Sequence, residues 1–411
     1  MILTRLLGLH QNRDVNSATS IITIIVLGIL NVAILFVAPV LIGAMVELLG
    51  FTEAQAGFVI SAELVGMSLA SLPALYWVTR VNWRRALLVA LSFMILGNLL
   101  STSVGSYIPL LVLRFLVGLA AGSSMAICLS IIGTTGNPDR VFGLWVTGQL
   151  VFGALGLFLL PSLLPLLGYG FIYLLIAVLI VGLLFMLRFL PQQRSPVSGR
   201  ESVQNSHYER SPCLLRWAAA GLLSIFICYA GQYGVWAYLD RIGSTIGLAP
   251  DNIGKALSLA TIVGIVGALG AAALHSRFGR FLPVALGSIV SIISMFFLLG
   301  DFDYAQYVAA ACGFSFTFNF ILPYLMACVV NVDMTGRLIV LSNIASGGGL
   351  GVGPAMAGIL QHQSGYNAVI WTGIGFTVLS LILVARLATL KIILVDGDIH
   401  SAAFVFVTEC F

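Results

Sequence analysis

Apolar and small residues in this chain come in long blocks. Twelve such runs recur, at about 21–47, 56–78, 85–105, 108–132, 141–164, 169–190, 214–238, 252–275, 281–300, 304–330, 338–361 and 367–390. A run of about twenty residues, as a helix, covers the roughly 30 Å hydrocarbon layer of a bilayer. Backbone amides find no water there, so each run must satisfy its own hydrogen bonds by coiling into a helix. The pattern predicts an all-α membrane protein with twelve transmembrane helices. Composition agrees: 60% of the residues are hydrophobic and 8% are charged, whereas a soluble chain carries about 25% charged residues. Mean hydropathy is +1.08.

The few charges are distributed unevenly. With the N-terminus placed in the cytoplasm, sixteen basic residues fall inside: Arg5, Arg13, Arg80, Arg84, Arg85, Arg140, Arg188, Arg194, Arg200, Arg210, Arg216, Arg277, Arg280, Arg337, Arg386 and Lys391. Only Arg241 and Lys255 fall outside, among the acids Glu47, Glu53, Asp240, Asp251, Asp301 and Asp303. This bias sets both termini inside, which an even number of crossings requires. The net charge of +4 is therefore a topology signal and carries no implication of nucleic-acid binding. No small-residue cleavage site precedes the first run, so no removable signal peptide is predicted. Six scattered cysteines and five single histidines suggest neither a metal site nor a cofactor.

One polar stretch, "PQQRSPVSGRESVQNSHYERSPC" (191–213), reads as a cytoplasmic linker. It divides the chain into an N-terminal bundle (1–190), a C-terminal bundle (214–390) and a tail (391–411). The halves repeat each other. A shift of 197 residues pairs Gly50 with Gly247, Gly57 with Gly254, Ser61 with Ser258, Arg80 with Arg277, Tyr107 with Tyr304, Arg140 with Arg337, and Gly168-Tyr169 with Gly365-Tyr366. Parallel six-helix repeats are a transporter architecture.

Motifs make this more specific. The loops "LYWVTRVNWRR" (75–85) and "AALHSRFGR" (272–280) resemble the Gly-x-x-x-Asp-Arg-x-Gly-Arg-Arg signature of the major facilitator superfamily. They keep Arg80, Arg84, Arg85, Arg277, Gly279 and Arg280, but Thr79 and Ser276 replace the acid. In the family this loop latches one conformation through charge pairs. Without the acid, a latch here relies on arginine to carbonyls or helix ends. "LRFLVGLAAG" (113–122) matches the family's fourth-helix Arg-x-x-x-Gly-x-x-x-Gly as Arg114, Gly118 and Gly122. The segments holding Arg140 and Arg337 resemble the loops entering helices 5 and 11. Helix 5 has no Gly-Pro pattern, which argues against a drug antiporter. The resemblance assigns no subfamily. It implies two pseudo-symmetric six-helix bundles, with helices 1, 4, 7 and 10 lining a central cavity. The polar and aromatic residues on those helices, Asn31, Gln232, Tyr233, Trp236, Thr317, Asn319 and Tyr324, are then substrate candidates. Gln232, Tyr233 and Trp236 are read as one helical face. Such residues suit an amphipathic or aromatic organic solute.

Two ionisable side chains lie well within the runs: Glu63, in "FVISAELVGM" (58–67), and Arg114. They sit roughly 12 Å and roughly 9 Å from the outer ends of their helices. Intramembrane charges face the bundle interior and pair with one another, so the two are expected to meet. Gly66, Ala70 and Pro73 beside Glu63, and Gly118, Ala121, Gly122 and Met125 beside Arg114, allow a close approach. The repeat places Ala260 and Ala311 at the equivalent positions, so the scaffold is duplicated and the charges are not. Burial disfavours an ionised carboxylate and a guanidinium favours it. Two readings stay open. Glu63 carries a proton with Arg114 modulating it, or the two form a permanent structural pair.

No nucleophile–base pair, metal cluster or phosphate loop points to an enzyme. The expectation is a secondary active transporter of a small organic solute working by alternating access, proton-coupled and favouring export. It is expected to be a monomer in the cell (inner) membrane with both termini cytoplasmic. Its partners would be the solute, protons and the bilayer. The alternatives are an uptake permease for an organic anion or metabolite, and a non-transporting sensor on the same fold.

Overall fold

The structure is a computed structural model that describes residues 14–191, 212–274, 277–330 and 337–396. The linker residues 192–211, the 397–411 tail, Ser276 and the Arg337 side chain lie outside the described residues. Helices account for almost everything described, and an isolated bridge between Arg277 and Gly279 is the extended pairing found there. Helix α1 spans Ala18–Leu49, in two pieces that meet at Val32. Then follow α2 (Glu53–Trp77), α3 (Trp83–Ser101), α4 (Tyr107–Ile132), α5 (Pro138–Leu167) and α6 (Phe171–Met186). The second half continues with α7 (Pro212–Thr245), α8 (Pro250–Leu274), α9 (Phe281–Phe296) and α10 (Tyr304–Val330). The helical stretch Arg337–Asp396 breaks at Gly365, where φ is 77°, giving α11 (337–364) and α12 (366–396).

Among the described residues ten segments are long and apolar enough to cross a membrane. One of them, Leu341–Arg386, holds most of α11 and part of α12, and α9 is a shorter apolar helix of 16 residues. This is consistent with twelve crossings. Local sequence explains the helix ends. At α2 the Thr52 hydroxyl accepts from the Gln55 amide at 3.2 Å, and the Gln55 side chain accepts from the Thr52 amide at 3.0 Å. This reciprocal cap satisfies two N–H groups that the first turn leaves free. Asn82 and Asn137 cap α3 and α5 in the simpler way. Outward faces are apolar: Val89, Phe93, Leu96 and Leu100 line one side of α3 and are exposed, as a lipid-facing stripe must be.

The 197-residue repeat survives in the backbone. Helices α2 and α8 share both ends under the shift. Gly50 and Gly247 (φ 69° and 75°), and Gly168 and Gly365 (φ 81° and 77°), turn the chain in the left-handed region at equivalent corners. Side chains with a Cβ resist that conformation, so these matched glycines are conformational requirements.

The two halves meet along two helix pairs that are images of each other. Gly57 of α2 lies against the Pro354 carbonyl of α11, and Gly254 of α8 lies against the Leu157 carbonyl of α5. Residue 157 plus 197 is 354, so both contacts obey the repeat. A Cβ at either glycine would strike backbone. Glycine is thus what permits the close approach of the halves. In α5, Pro161 has no N–H to return to Leu157, which leaves that carbonyl free to face α8. Ser61 of α2 adds a bond, accepting from the Ala355 amide of α11 at 2.8 Å.

Candidate functional site

Glu63 and Arg114 meet inside the N-terminal bundle. Arg114 Nη1 lies 3.5 Å from Glu63 Oε2. The same nitrogen donates to Asn98 Oδ1 of α3 at 3.2 Å, and the guanidinium carbon sits 4.5 Å above the ring of Tyr173 on α6. Arg114 is 0% exposed and Glu63 is 7% exposed. The helix faces explain the placement. A Cβ on Gly118 would overlap the Glu63 carbonyl, one on Gly122 the Met67 carbonyl, and one on Gly66 the Phe115 carbonyl. Helices α2 and α4 therefore touch backbone to backbone, which puts a glutamate on one beside an arginine on the other.

The pair is loose for its depth. Arg114 brings five N–H donors, and its Nε and Nη2 find no protein partner. A guanidinium held to stay in place would engage the carboxylate through two short bonds. Here the contact is one long bond, with an amide and an aromatic face holding the cation on other sides. Protonating Glu63 would remove one weak contact and leave Arg114 supported by Asn98 and Tyr173.

A cavity of about 170 Å³ lies between the halves. Leu35 and Phe36 of α1 and Leu150 of α5 close it from the N-terminal side. Tyr229, Tyr233 and Trp236 of α7 face them, and α8, α10 and α11 complete the wall with Thr261, Ser315, Phe318, Asn319, Leu322 and Leu350. Tyr229, Tyr233 and Trp236 stand at i, i+4 and i+7, one stripe of a helix.

Three of the substrate candidates, Tyr233, Trp236 and Asn319, line this cavity. The others sit elsewhere. Gln232 donates to Ser291 of α9 at 2.9 Å and Thr377 of α12 at 3.2 Å, inside the C-terminal bundle. Gln232 therefore does not share the cavity face of Tyr233 and Trp236, because a step of one residue turns a side chain about 100° around the helix axis. Thr317 bonds back to the Gly313 and Phe314 carbonyls of its own helix. Tyr324 donates to the Ala271 carbonyl at 3.0 Å, between α10 and α8. Asn31 is 5% exposed at the break in α1, and neither polar atom of its side chain has a protein partner. Tyr229 lines the cavity without being among those candidates, and its i−4 spacing from Tyr233 in "YAGQY" is the signal in the sequence that marks it.

A second polar cluster joins the halves at the end carrying Gly50, Gly168, Gly247 and Gly365, the acidic end. Arg241 of α7 donates to Glu47 of α1 at 2.8 Å and to Glu53 of α2 at 2.9 Å. The Tyr366 hydroxyl also donates to Glu53, at 2.7 Å, and the Tyr238 hydroxyl to its backbone carbonyl at 2.6 Å. These bonds close the acidic end. Beneath them Asp240 and Glu47 border a cavity of about 170 Å³ that Ser244 also lines. Beyond the membrane segments at the same end, burial pushes the Tyr169 hydroxyl up to about 12 against the opposing influence of Arg114. It keeps its proton and donates to the Ser101 and Val104 carbonyls.

The signature loops hold arginines on carbonyls. Arg84 Nε donates to the Leu190 carbonyl at 2.6 Å, and Arg280 Nη1 to the Ala327 carbonyl at 2.8 Å. Both bonds stay within one half. Arg80 stacks 3.8 Å over Tyr76, while Thr79, Arg140, Arg277 and Gly279 are exposed at the surface of the opposite, basic end.

A repeated helical scaffold with a cavity between its two halves is the architecture in which secondary transporters are built. The chain belongs to the Major Facilitator Superfamily, whose family model matches residues 21–333. It is similar to a gallate transporter of Pseudomonas putida, 29% identical over 174 residues. That match takes in 40% of this chain and 38% of the relative's length, so the chain aligns with well under half of that protein. A crystal structure of the nucleoside transporter NupG superposes with a TM-score of 0.66 at 12% identity, covering 90% of this chain and 99% of that one. The latter likeness is one of fold.

Proposed function

We propose that the protein is a proton-coupled transporter of single-ring aromatic solutes, binding them in the cavity between the halves and using Glu63 as its proton carrier. The observation that carries this reading is the cavity itself. Its volume of about 170 Å³ compares with the roughly 150 Å³ apolar cavity that holds benzene in another protein. Five aromatic rings, Phe36, Tyr229, Tyr233, Trp236 and Phe318, face it. Asn319 spends one N–H on the Ser315 carbonyl at 2.9 Å, leaving its other amide atoms beside Ser315 and Thr261 as a short polar edge. Such a site takes a flat ring with a hydroxyl or carboxyl substituent. The partial likeness to a gallate transporter supports the same solute class.

The proton enters the reading through the loose pair. Glu63 takes a proton from one side when its contact to Arg114 opens, and gives it up when the pair re-forms on the other side. The halves 1–190 and 214–390 act as the two rocking bodies, in a monomer of the cell membrane with the acidic end outside. Proteoliposomes with an imposed pH gradient test this. Radiolabelled hydroxybenzoates are expected to accumulate against their own gradient and to collapse to equilibrium when a protonophore is added. Sugars and nucleosides are expected not to move. Accumulation of no aromatic acid under either gradient direction would refute the reading.

A further inference from the structure

Tyr233 belongs to two structures at once. Its ring lines the central cavity, and its hydroxyl donates to the Leu35 carbonyl of α1 at 2.8 Å, from one half to the other. The acceptor is available for a definite reason. In an α-helix the carbonyl of residue 35 receives the N–H of residue 39. Residue 39 is proline, inside α1, and has no N–H to give. A buried carbonyl without a donor is costly, so the site calls for one from outside the helix. Tyr233, 198 residues away in sequence, supplies it. The tyrosine is itself 2% exposed, so water does not compete for the bond.

The bond lies at the level of the cavity, on the α1–α7 contact that runs on to the closed acidic end. Seven residues further along α7, Asp240 lies against Gly43 of α1, and Arg241 next to it holds Glu47 and Glu53. A rearrangement that parts α7 from α1 at that end would also part the Tyr233 hydroxyl from the Leu35 carbonyl, so the bond would belong to the closed state. Interactions present in one of two states are the ones that set the balance between them.

We propose that Tyr233 is a positioning residue that clasps the transporter closed at the acidic end, with Pro39 creating the acceptor it uses, while its ring serves the solute. The second half of that statement rests on reading the cavity as the solute site. The clasp does not.

The test uses the full chain in detergent micelles, with Ser244→Cys as a reporter in the acidic-end cavity. Its labelling by a water-soluble maleimide is measured above that of the protein with Ser244 intact. Tyr233→Phe keeps the ring and removes the hydroxyl. Pro39→Ala returns to Leu35 a donor from its own helix. Losing one net hydrogen bond shifts a two-state balance by about threefold to tenfold, so each variant is expected to speed labelling by that factor. The double variant is expected to match the larger single effect, because one change removes the donor and the other removes the need of the same acceptor for it. Unchanged labelling in Tyr233→Phe, or effects that multiply in the double variant, would overturn the clasp. Solute affinity separates the two readings. Tyr233→Phe keeps the ring and is expected to change hydroxybenzoate affinity by no more than its threefold to tenfold shift of the two-state balance, and Tyr233→Ala to bind it about tenfold more weakly than Tyr233→Phe, the upper part of what losing one ring–ring contact does. If Tyr233→Ala bound it as Tyr233→Phe does while Tyr233→Phe still labelled faster, the clasp would stand and the solute site would not.

Discussion

Arg114→Leu is expected to unfold the N-terminal bundle more readily than any other single change at the site. Removing the guanidinium strands Glu63 on a 7% exposed position with no cation beside it. Breaking a buried pair from one side costs up to about 3–5 kcal/mol where the remaining charge is left uncompensated, and Glu63 escapes part of that cost as the pH falls and it takes up a proton. Tyr173 loses the cation over its ring and Asn98 loses its donor as well. The companion change is the informative one. Glu63→Gln on the Arg114→Leu background removes the stranded charge, and most of the lost stability is expected to return. Thermal melting of the purified variants in detergent checks both. If Arg114→Leu melted with the parent, the buried contact would be unimportant to the fold. If the double variant were no better than Arg114→Leu, the loss would come from packing of the long side chain and not from charge.

The second large effect belongs to a residue without a side chain. Gly118→Leu is expected to force α2 and α4 apart, since even a Cβ there overlaps the Glu63 carbonyl. Overpacking usually costs about 1–3 kcal/mol. Here the obstacle is backbone, which cannot rotate away, so the upper end of that range or beyond is expected. Spreading the helices also lengthens the Glu63–Arg114 contact, so transport is expected to fall further than stability alone explains. Gly143→Ala is the control. No atom lies within 4 Å of a Cβ at Gly143, and replacing a helical glycine by alanine is worth roughly 0.5–1 kcal/mol in the stabilising direction. A melt in which the two substitutions behave alike would remove the steric argument.

Much of this molecule was readable as a string of letters, for physical reasons that can be named. Helices were legible because a bilayer permits little else, and the repeat because matched corners such as Gly50 and Gly247 need φ that other residues resist. The meeting of Glu63 with Arg114 was legible from their equal depth and the small residues beside each, since two charges at one level in hydrocarbon seek each other. Helix rotation was harder to read. Gln232 and Tyr233 are neighbours in sequence and point into different compartments, one bonded to Ser291 and Thr377, the other to Leu35. Polarity alone does not say which neighbour faces the cavity. The Arg241 cluster was hidden for another reason. Glu47, Glu53 and Tyr366 come from three separate helix ends, and only the tertiary arrangement brings them to one guanidinium. The role of Pro39 was hidden similarly, because the donor that answers its missing N–H sits in the other half.

The proposed role of Glu63 is to carry the proton that drives transport. Its most direct test is Glu63→Gln in proteoliposomes, comparing two fluxes of one labelled hydroxybenzoate. Uptake driven by a pH gradient is expected to fall to the level of protein-free vesicles. Exchange of labelled for unlabelled solute at equal pH is expected to continue at a rate comparable with the parent, because a neutral amide mimics the protonated acid and the halves still rock. Gradient-driven accumulation at the parent's level in Glu63→Gln would contradict the account, and would leave Glu63 and Arg114 as a structural pair.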